Sequence, residues 1–174
     1  MPSSVDLNLD WARPVILLDF DGVLNSLQFI GAQQRASGNR DTNTVDWFVR
    51  WHTRLIDPAL ASKVASLVRD YQCSVIVCSS WRDWFDDDQL RAILAAHDIP
   101  FHGSNARKTY PRKNSRYREV RDLVRKFPPG SNWVVIDDAV DSLMFEGRVV
   151  QPKDGLTDAD MARARAILDR GQAP

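Results

Sequence analysis

The chain has few cysteines, no excess charge of either sign and no long apolar run. Cys73 and Cys78 are its only cysteines. They flank one predicted strand and lie too far apart to form a disulfide, so we expect reduced core residues in a cytoplasmic protein. Acidic and basic residues number 23 each. Because the charges balance, no field of the whole molecule attracts nucleic acid or a membrane.

The sequence also lacks the patterns that direct a chain to a membrane. No apolar run approaches the length that spans a bilayer. Residues 1–13 are polar and do not have the basic-then-apolar order of a signal peptide. Internal repeats and low-complexity segments are absent too. With 174 residues, we expect a single domain over 1–174 that buries its own core and has no membrane partner.

What the chain does contain is an alternation of short apolar segments and amphipathic segments. Helical patterns lie near 58–68, 88–97, 115–127 and 158–168. The alternation predicts βαβ units, and therefore an α/β three-layer sandwich with a mainly parallel five-stranded sheet. The predicted strands are rich in Val and Ile, as strands buried on both faces are, and span 15–20, 74–79, 99–102, 133–136 and 148–150.

One long segment, at about 26–54, does not fit this alternation. It mixes glycine and asparagine with aromatic residues, and it is too long for a plain connection. We interpret it as a flap, or small insert, with a short helix around 45–52 above the site. The alternative is a loop that only packs its aromatic side chains onto the body of the protein. No segment is long enough for a large cap domain.

The first predicted strand ends in two carboxylates, Asp19 and Asp21, followed at once by Gly22. Side chains alternate along a strand, so the two acids could share a face, and glycine permits a tight turn against a ligand. Adjacent carboxylates raise each other's pKa unless a cation lies between them. The pattern favours a Mg²⁺ site with a reactive carboxylate over a solvated acidic turn.

Polar residues also follow two other predicted strands. Ser79 and Ser80 follow the second strand, and Asp137 and Asp138 follow the fourth. Ligands of parallel sheets bind beyond the carboxyl ends of the strands. The topology therefore predicts that these side chains converge with those of the first strand.

These motifs, in this order, resemble those of the haloacid dehalogenase (HAD) superfamily. Asp19-Phe20-Asp21-Gly22-Val23 is similar to its first motif, the strand end at Ser79 to its second, and Asp137-Asp138 to its fourth. Lys113, just ahead of the third helix, stands where the superfamily has a lysine, with Lys108 and Arg112 as alternatives. Strings at 24–25, 79–82 and 155–160 are also similar to small HAD domains associated with predicted RNA-repair proteins.

The resemblance implies a HAD-like Rossmannoid fold and a Mg²⁺-dependent phosphatase. Asp19 would be the nucleophile that forms an aspartyl-phosphate, and Asp21 the general acid and base. The implied metal site comprises Asp19, Asp138, the backbone carbonyl of Asp21, and Asp137 through a bound water. The implied phosphate-binding groups are Ser79 or its neighbour Ser80, Lys113, and backbone N–H groups after Asp19, including that of Gly22.

The substrate is less well specified than the reaction. A site without a cap admits a bulky substrate such as a nucleic-acid end, and a basic cluster over 107–126 could follow a phosphodiester backbone. Arg116, Arg82 and Trp81 are the candidate substrate contacts; Trp81, Trp84 or Trp51 could stack a base. The alternatives are a phosphatase of nucleotides or sugar phosphates, and a non-catalytic HAD-fold module that binds nucleic acid. The oligomeric state stays open.

Overall fold

The computed structural model describes residues 9–37, 45–105 and 115–171. Its centre is a five-stranded sheet in which every pairing is parallel, in the order β3-β2-β1-β4-β5. The predicted α/β class with a parallel five-stranded sheet is confirmed. The strands are β1 (Val15–Leu18), β2 (Ser74–Val77), β3 (Gly103–Ser104), β4 (Trp133–Ile136) and β5 (Val149–Val150).

Helices flank the sheet and begin where the sequence supplies caps. Asp57 accepts a hydrogen bond from the backbone N–H of Ala59 at the start of the third helix, and Thr157 and Asp160 form a capping box at the start of the last. The helices are α1 (Leu27–Ser37), α2 (Val45–Leu55), α3 (Pro58–Tyr71), α4 (Asp87–Ala95), α5 (Ser115–Val124) and α6 (Asp158–Arg170). Within the described ranges, no helix is long and apolar enough to cross a membrane.

Strand β1 carries the core on both of its faces. Ile16 and Leu18 belong to one buried cluster, while Val15 and Leu17 belong to the other. All four side chains are fully buried. This burial on both faces is why the strand consists entirely of apolar residues rather than alternating apolar and polar ones.

Strand β3 lies later in the chain than the sequence pattern predicts. The prediction was 99–102, but the ladder with β2 forms at Gly103–Ser104. The backbone N–H of Val75 donates to Nδ1 of His102 (2.9 Å), so a side chain takes the place of a ladder bond there. Ile99 is buried in the core. The N–H of His102 also donates to the carbonyl of Val75 (2.9 Å), so the chain reaches β2 at the end of the predicted range and continues as a strand only from Gly103.

The insert at about 26–54 contains two helices where the sequence predicts one. Helix α2 includes the predicted short helix, and α1 precedes it. Residues 38–44, between them, lie outside the described part of the chain. Phe48 of α2 packs against Phe85 of the body, with ring centroids 5.1 Å apart. The insert therefore rests on the segment that follows β2.

Candidate active site

Asp19 lies directly after the central strand and is almost fully buried. Its backbone N–H donates to the carbonyl of Ile136 (3.0 Å), which ties it to the end of β4. Its Oδ1 accepts from the N–H of Phe20 (2.8 Å), and its Oδ2 lies 3.5 Å from Nη2 of Arg116. Burial raises the pKa of Asp19, and the charge of Arg116 only partly offsets this effect.

Asp19, Asp137 and Asp138 form a carboxylate cluster at the edge of the sheet, with oxygens from all three within 4.8 Å of one another. Burial, and then the charge of Asp19, raises the pKa of Asp137 to about 7. Burial also raises the pKa of Asp138. Nε of Arg116 lies 3.3 Å from Oδ2 of Asp137, yet no described residue makes a hydrogen bond to that buried oxygen. Clustered, under-compensated carboxylate oxygens fit a hard divalent cation such as Mg²⁺.

Gly22 lies against the open side of this cluster. Its φ of +68° is in the left-handed region, and a Cβ placed on it would lie 2.4 Å from Oδ2 of Asp138. The N–H of Gly155 donates to the carbonyl of Gly22 (2.7 Å), which fixes the turn to a distant loop. Glycine is therefore required here both for backbone conformation and for the close approach of Asp138.

Asp21 is held apart from the cluster by its own set of donors. Nε1 of Trp81 lies 3.0 and 3.1 Å from its two carboxylate oxygens, and Nδ2 of Asn25 lies 3.2 Å from Oδ1. The hydroxyl of Ser80 is at hydrogen-bonding distance from Oδ2 (3.5 Å). The side chain of Asp21 is not part of the cluster of three. The two carboxylates of the first motif thus occupy different environments, although only one residue separates them.

The side chain of Trp81 is buried and held in place by neighbouring aromatic rings. Only 2% of the residue is exposed. Its ring packs edge-to-face on Phe20 (4.9 Å) and on His52 (5.1 Å), and it lies 5.9 Å from Phe85. Sequence analysis put Trp81 forward as a substrate contact, but the structure directs its one polar atom at Asp21. A buried ring with this contact orients the carboxylate instead of offering a face for stacking.

We expect Trp81→Phe to slow the hydrolysis of substrates with poor leaving groups by about tenfold, because a hydrogen bond to a charged group is lost while the packing ring stays. Hydrolysis of an aryl phosphate with a good leaving group should change much less. Steady-state kcat for an alkyl and an aryl phosphate measures this difference. In an Asp21→Asn background the same substitution should have no further effect; an equal loss in that background would contradict the assigned contact.

The two serines after β2 have different neighbours. Ser79 is fully buried, its hydroxyl accepts from the N–H of Trp81 (3.3 Å), and its side chain offsets a small part of the rise that burial causes in the pKa of Asp19. Ser80 is exposed and faces Asp21. Either serine was predicted from the sequence to bind phosphate. In the structure, Ser79 is a buried hydroxyl beside Asp19, and Ser80 is an exposed hydroxyl beside Asp21.

Arg82 connects the strand end to α5 and is itself buried. Its Nε donates to the carbonyl of Ser79 (2.6 Å), its Nη1 to the carbonyl of Asn105 (2.7 Å), and its Nη2 to Oε2 of Glu119 (2.8 Å). A planar guanidinium with donors engaged on three partners fixes the turn that carries Ser79. The sequence suggests Arg82 as a substrate contact, but in the structure its guanidinium is hydrogen-bonded to other residues of the same chain.

Arg116 is the described cation nearest the cluster. It makes ion-pair contacts with Asp19 and Asp137, donates from Nη1 to the carbonyl of Cys78, and lies 3.5 Å from Glu119. Sequence reasoning gave the charge-neutralising role to Lys113, which lies outside the described residues, as do Lys108 and Arg112. The sequence feature that could have indicated this role for Arg116 is its position in the first turn of α5.

Replacing Arg116 by methionine should lower the free energy of unfolding by about 3–5 kcal/mol, because it leaves buried carboxylates without their cation. Arg118→Met, on the exposed side of the same helix, should have little effect. Urea unfolding of metal-free protein measures both.

The loss in Arg116→Met should also depend on pH. The folded-state pKa of Asp137 is already about 7, above its ordinary 3.8, and removing Arg116 raises it further. The folded state then binds more protons than the unfolded state across this range, so the variant's stability falls as pH rises. We expect a larger deficit at about pH 8 than at about pH 5. An equal loss of unfolding free energy at the two pH values would contradict the ion pairs of Arg116 with the buried carboxylates.

A family model described as "HAD domain in Swiss Army Knife RNA repair proteins" matches residues 15–161. No curated protein and no solved structure matches the chain. The matched range begins at β1 and includes every residue of the pocket described above.

Proposed function

Because this chain belongs to the family of HAD domains in Swiss Army Knife RNA repair proteins, we propose that it is a Mg²⁺-dependent phosphomonoester hydrolase that acts on nucleic-acid ends through an aspartyl-phosphate. HAD domains of this kind are phosphatases or phosphotransferases in general, and the finer assignment rests on the pocket. The proposal concerns the whole domain, 1–174, with its insert at about 26–54.

The observation that carries the proposal is the separation of two neighbouring carboxylates. Asp19 is buried within the cluster of three acids, whereas Asp21 is oriented by Trp81 and Asn25 outside it. Double displacement needs one carboxylate that attacks and another that moves protons. A module that only binds a metal or a nucleic acid has no need for the second, which favours an enzyme over a binding module.

In the proposed reaction, a carboxylate oxygen of Asp19 attacks phosphorus in line, and the bond to the leaving oxygen breaks. Asp21 gives its proton to that oxygen. It then takes a proton from the water that attacks the aspartyl-phosphate, so the acid and its proton are regenerated as inorganic phosphate forms. A Mg²⁺ held by Asp19, Asp138, the carbonyl of Asp21 and, through water, Asp137 would supply positive charge to the phosphoryl oxygens.

Several groups would hold the phosphoryl oxygens. Ser79 or Ser80 can donate a hydroxyl hydrogen bond, and Lys113 would add a charge. The N–H of Phe20 donates to Asp19, and that of Gly22 donates to the side chain of Asn25 (3.0 Å). A phosphoryl group bound through these N–H groups would therefore have to displace those contacts. Arg116 reduces the negative charge that an incoming phosphate meets.

A nucleic-acid end is the favoured substrate because of the family's description and because the described residues form no large cap. A small phosphate, such as a nucleotide or sugar phosphate, is the second candidate. It is favoured by the insert, since His52 of α2 packs on Trp81 and so brings that helix to the edge of the pocket. Phosphate release from oligonucleotides phosphorylated at either end, compared with mononucleotides and sugar phosphates, separates the two.

We expect activity on all phosphomonoesters to be lost when divalent cations are removed by a chelator and regained when Mg²⁺ is added. The reason is that three clustered carboxylates repel an anionic substrate unless a cation offsets their charge. Phosphate release is measured before chelation, after it and after addition of Mg²⁺ in excess of the chelator. Full activity in excess chelator would refute the proposed dependence on a divalent cation.

A further inference from the structure

An exposed aromatic side chain, Trp84, is connected through ring contacts to the candidate active site and has no role in the chemistry proposed above. Trp84 is 58% exposed, far more than the adjacent Phe85, which is 2% exposed. The ring of Trp84 contacts that of His52 (5.8 Å), and His52 contacts Trp81 (5.1 Å). Trp81 in turn contacts Asp21. A continuous series of contacts thus links the exposed indole to the proton-transferring carboxylate.

The backbone that carries Trp84 is fixed. Its N–H donates to the carbonyl of Trp81 (3.0 Å) at the end of the short 3-10 helix Ser80–Asp83. Phe48, which is partly exposed on α2, also packs on His52, with ring centroids 4.2 Å apart. Trp84 therefore offers an exposed aromatic surface on a hydrogen-bonded turn, and an indole held in this way can contact a ligand with its apolar ring.

The charges around Trp84 limit what can lie on it. Asp83 precedes it, and Asp86, Asp87 and Asp88 follow after Phe85. Each of the last three is used locally. Asp86 caps α4, Asp87 accepts from the hydroxyl of Ser104 (2.6 Å), and Asp88 pairs with Arg91. Although these contacts partly offset their charge, the three acids repel the negative phosphates of a phosphodiester backbone at this place. A neutral planar ring is not repelled.

We propose that Trp84 is a base-stacking subsite, which holds the nucleobase nearest to the phosphate that is bound at Asp19. The inference rests on the proposed function and deepens it by naming the part of the substrate that is recognised. It also selects among the tryptophans of the sequence analysis. Trp81 is buried against Asp21, and Trp51 stacks on Trp47 (6.0 Å), whereas more than half of Trp84 is exposed.

Binding without turnover tests this proposal most directly. Two end-phosphorylated oligonucleotides are compared in Mg²⁺, one with its natural terminal base and one with an abasic terminal sugar. Their Kd values are measured by fluorescence anisotropy with the Asp19→Asn variant, which cannot consume them. Adding Trp84→Ala should weaken binding of the natural end about 5- to 100-fold, as loss of base–aromatic stacking does. The abasic end should bind equally well with and without the indole.

Two variants control for indirect effects. Trp84→Phe keeps an aromatic face and should retain most of the affinity. Trp47→Ala removes another partly exposed indole of the insert, one that stacks on Trp51 rather than on His52, and should leave Kd unchanged. A thermal unfolding midpoint unchanged by Trp84→Ala shows that the fold is intact.

Two results would overturn the subsite: a Kd for the natural end that does not respond to Trp84→Ala, and an equal loss for the natural and abasic ends. An equal loss on a phosphopeptide would also overturn it, because it would indicate a general apolar contact. Since Kd is read without turnover, failure of the subsite leaves the hydrolase proposal standing. Conversely, if the protein had no phosphatase activity, the effect of Trp84→Ala on Kd could still be measured.

Discussion

Replacing Asp19 by asparagine should abolish phosphatase activity, with a fall in kcat of about 10⁴-fold or more, the scale seen when an enzyme loses its nucleophile. An amide oxygen is too poor a nucleophile to attack phosphorus, and the covalent route has no substitute carboxylate. Asp137 is paired with Arg116 and bonded to the N–H of Ala139 (2.8 Å). The fold should survive, because the variant removes a buried charge. Phosphate release from an aryl phosphate measures the effect.

A matched variant separates the nucleophile from the metal ligand, since Asp19 is proposed to be both. Asp138→Asn should weaken Mg²⁺ binding but leave the nucleophile in place, so part of its activity should return at high Mg²⁺ concentration. Asp19→Asn should show no such return. Near-normal turnover by Asp19→Asn, or its rescue by Mg²⁺, would rule out the covalent route through this residue.

Replacing Asp21 by asparagine should lower kcat by about 10²–10⁴-fold, the usual contribution of a general acid and base. The loss should be greatest for alkyl phosphates, whose leaving oxygens need a proton, and smallest for aryl phosphates with good leaving groups. With a good leaving group, the aspartyl-phosphate still forms but its hydrolysis slows, so it should accumulate. Rate constants for formation and decay, measured by rapid acid quenching, test both steps.

Asn25→Ala is the matched control for Asp21. Asn25 lies 3.2 Å from Asp21 and accepts from the N–H of Gly22, but it carries no proton that can be transferred. As argued for Trp81→Phe, its loss should slow alkyl phosphates more than aryl phosphates, but far less than Asp21→Asn does. If Asp21→Asn reduced aryl and alkyl phosphate hydrolysis equally and no intermediate accumulated, Asp21 would not be the proton-transferring group.

The parallel direction of the strands could be anticipated because the central strands are almost entirely apolar. Val15 to Leu18 are buried on both faces of a parallel sheet, and such strands show as continuous Val, Ile and Leu runs. Strand β3 could not be located, because Gly103 and Ser104 have no strand propensity and pair only through their position beside β2. Helix α1 was missed because Gly31 disfavours a helix and few apolar residues mark a buried face.

The site was predictable where it depends on topology and not where it depends on side-chain direction. Asp19, Asp137 and Asp138 meet because parallel strands end at the same edge of the sheet. The contact between Trp81 and Asp21 depends on a 3-10 turn that no pattern of residues specified. The approach of Arg116 to Asp19 likewise depends on how α5 is placed against the sheet. Long side chains reach across elements, and sequence spacing does not record that reach.

The most direct test of the central claim is peptide mass spectrometry after rapid acid quenching of protein mixed with Mg²⁺ and an aryl phosphate. We expect one phosphoryl group on the peptide that contains Asp19 in the unaltered protein. The amount should be greater in Asp21→Asn and absent in Asp19→Asn. Phosphate release with no phosphoryl group on Asp19 at any quench time, in the unaltered protein and in Asp21→Asn alike, would contradict catalysis through an aspartyl-phosphate at this residue.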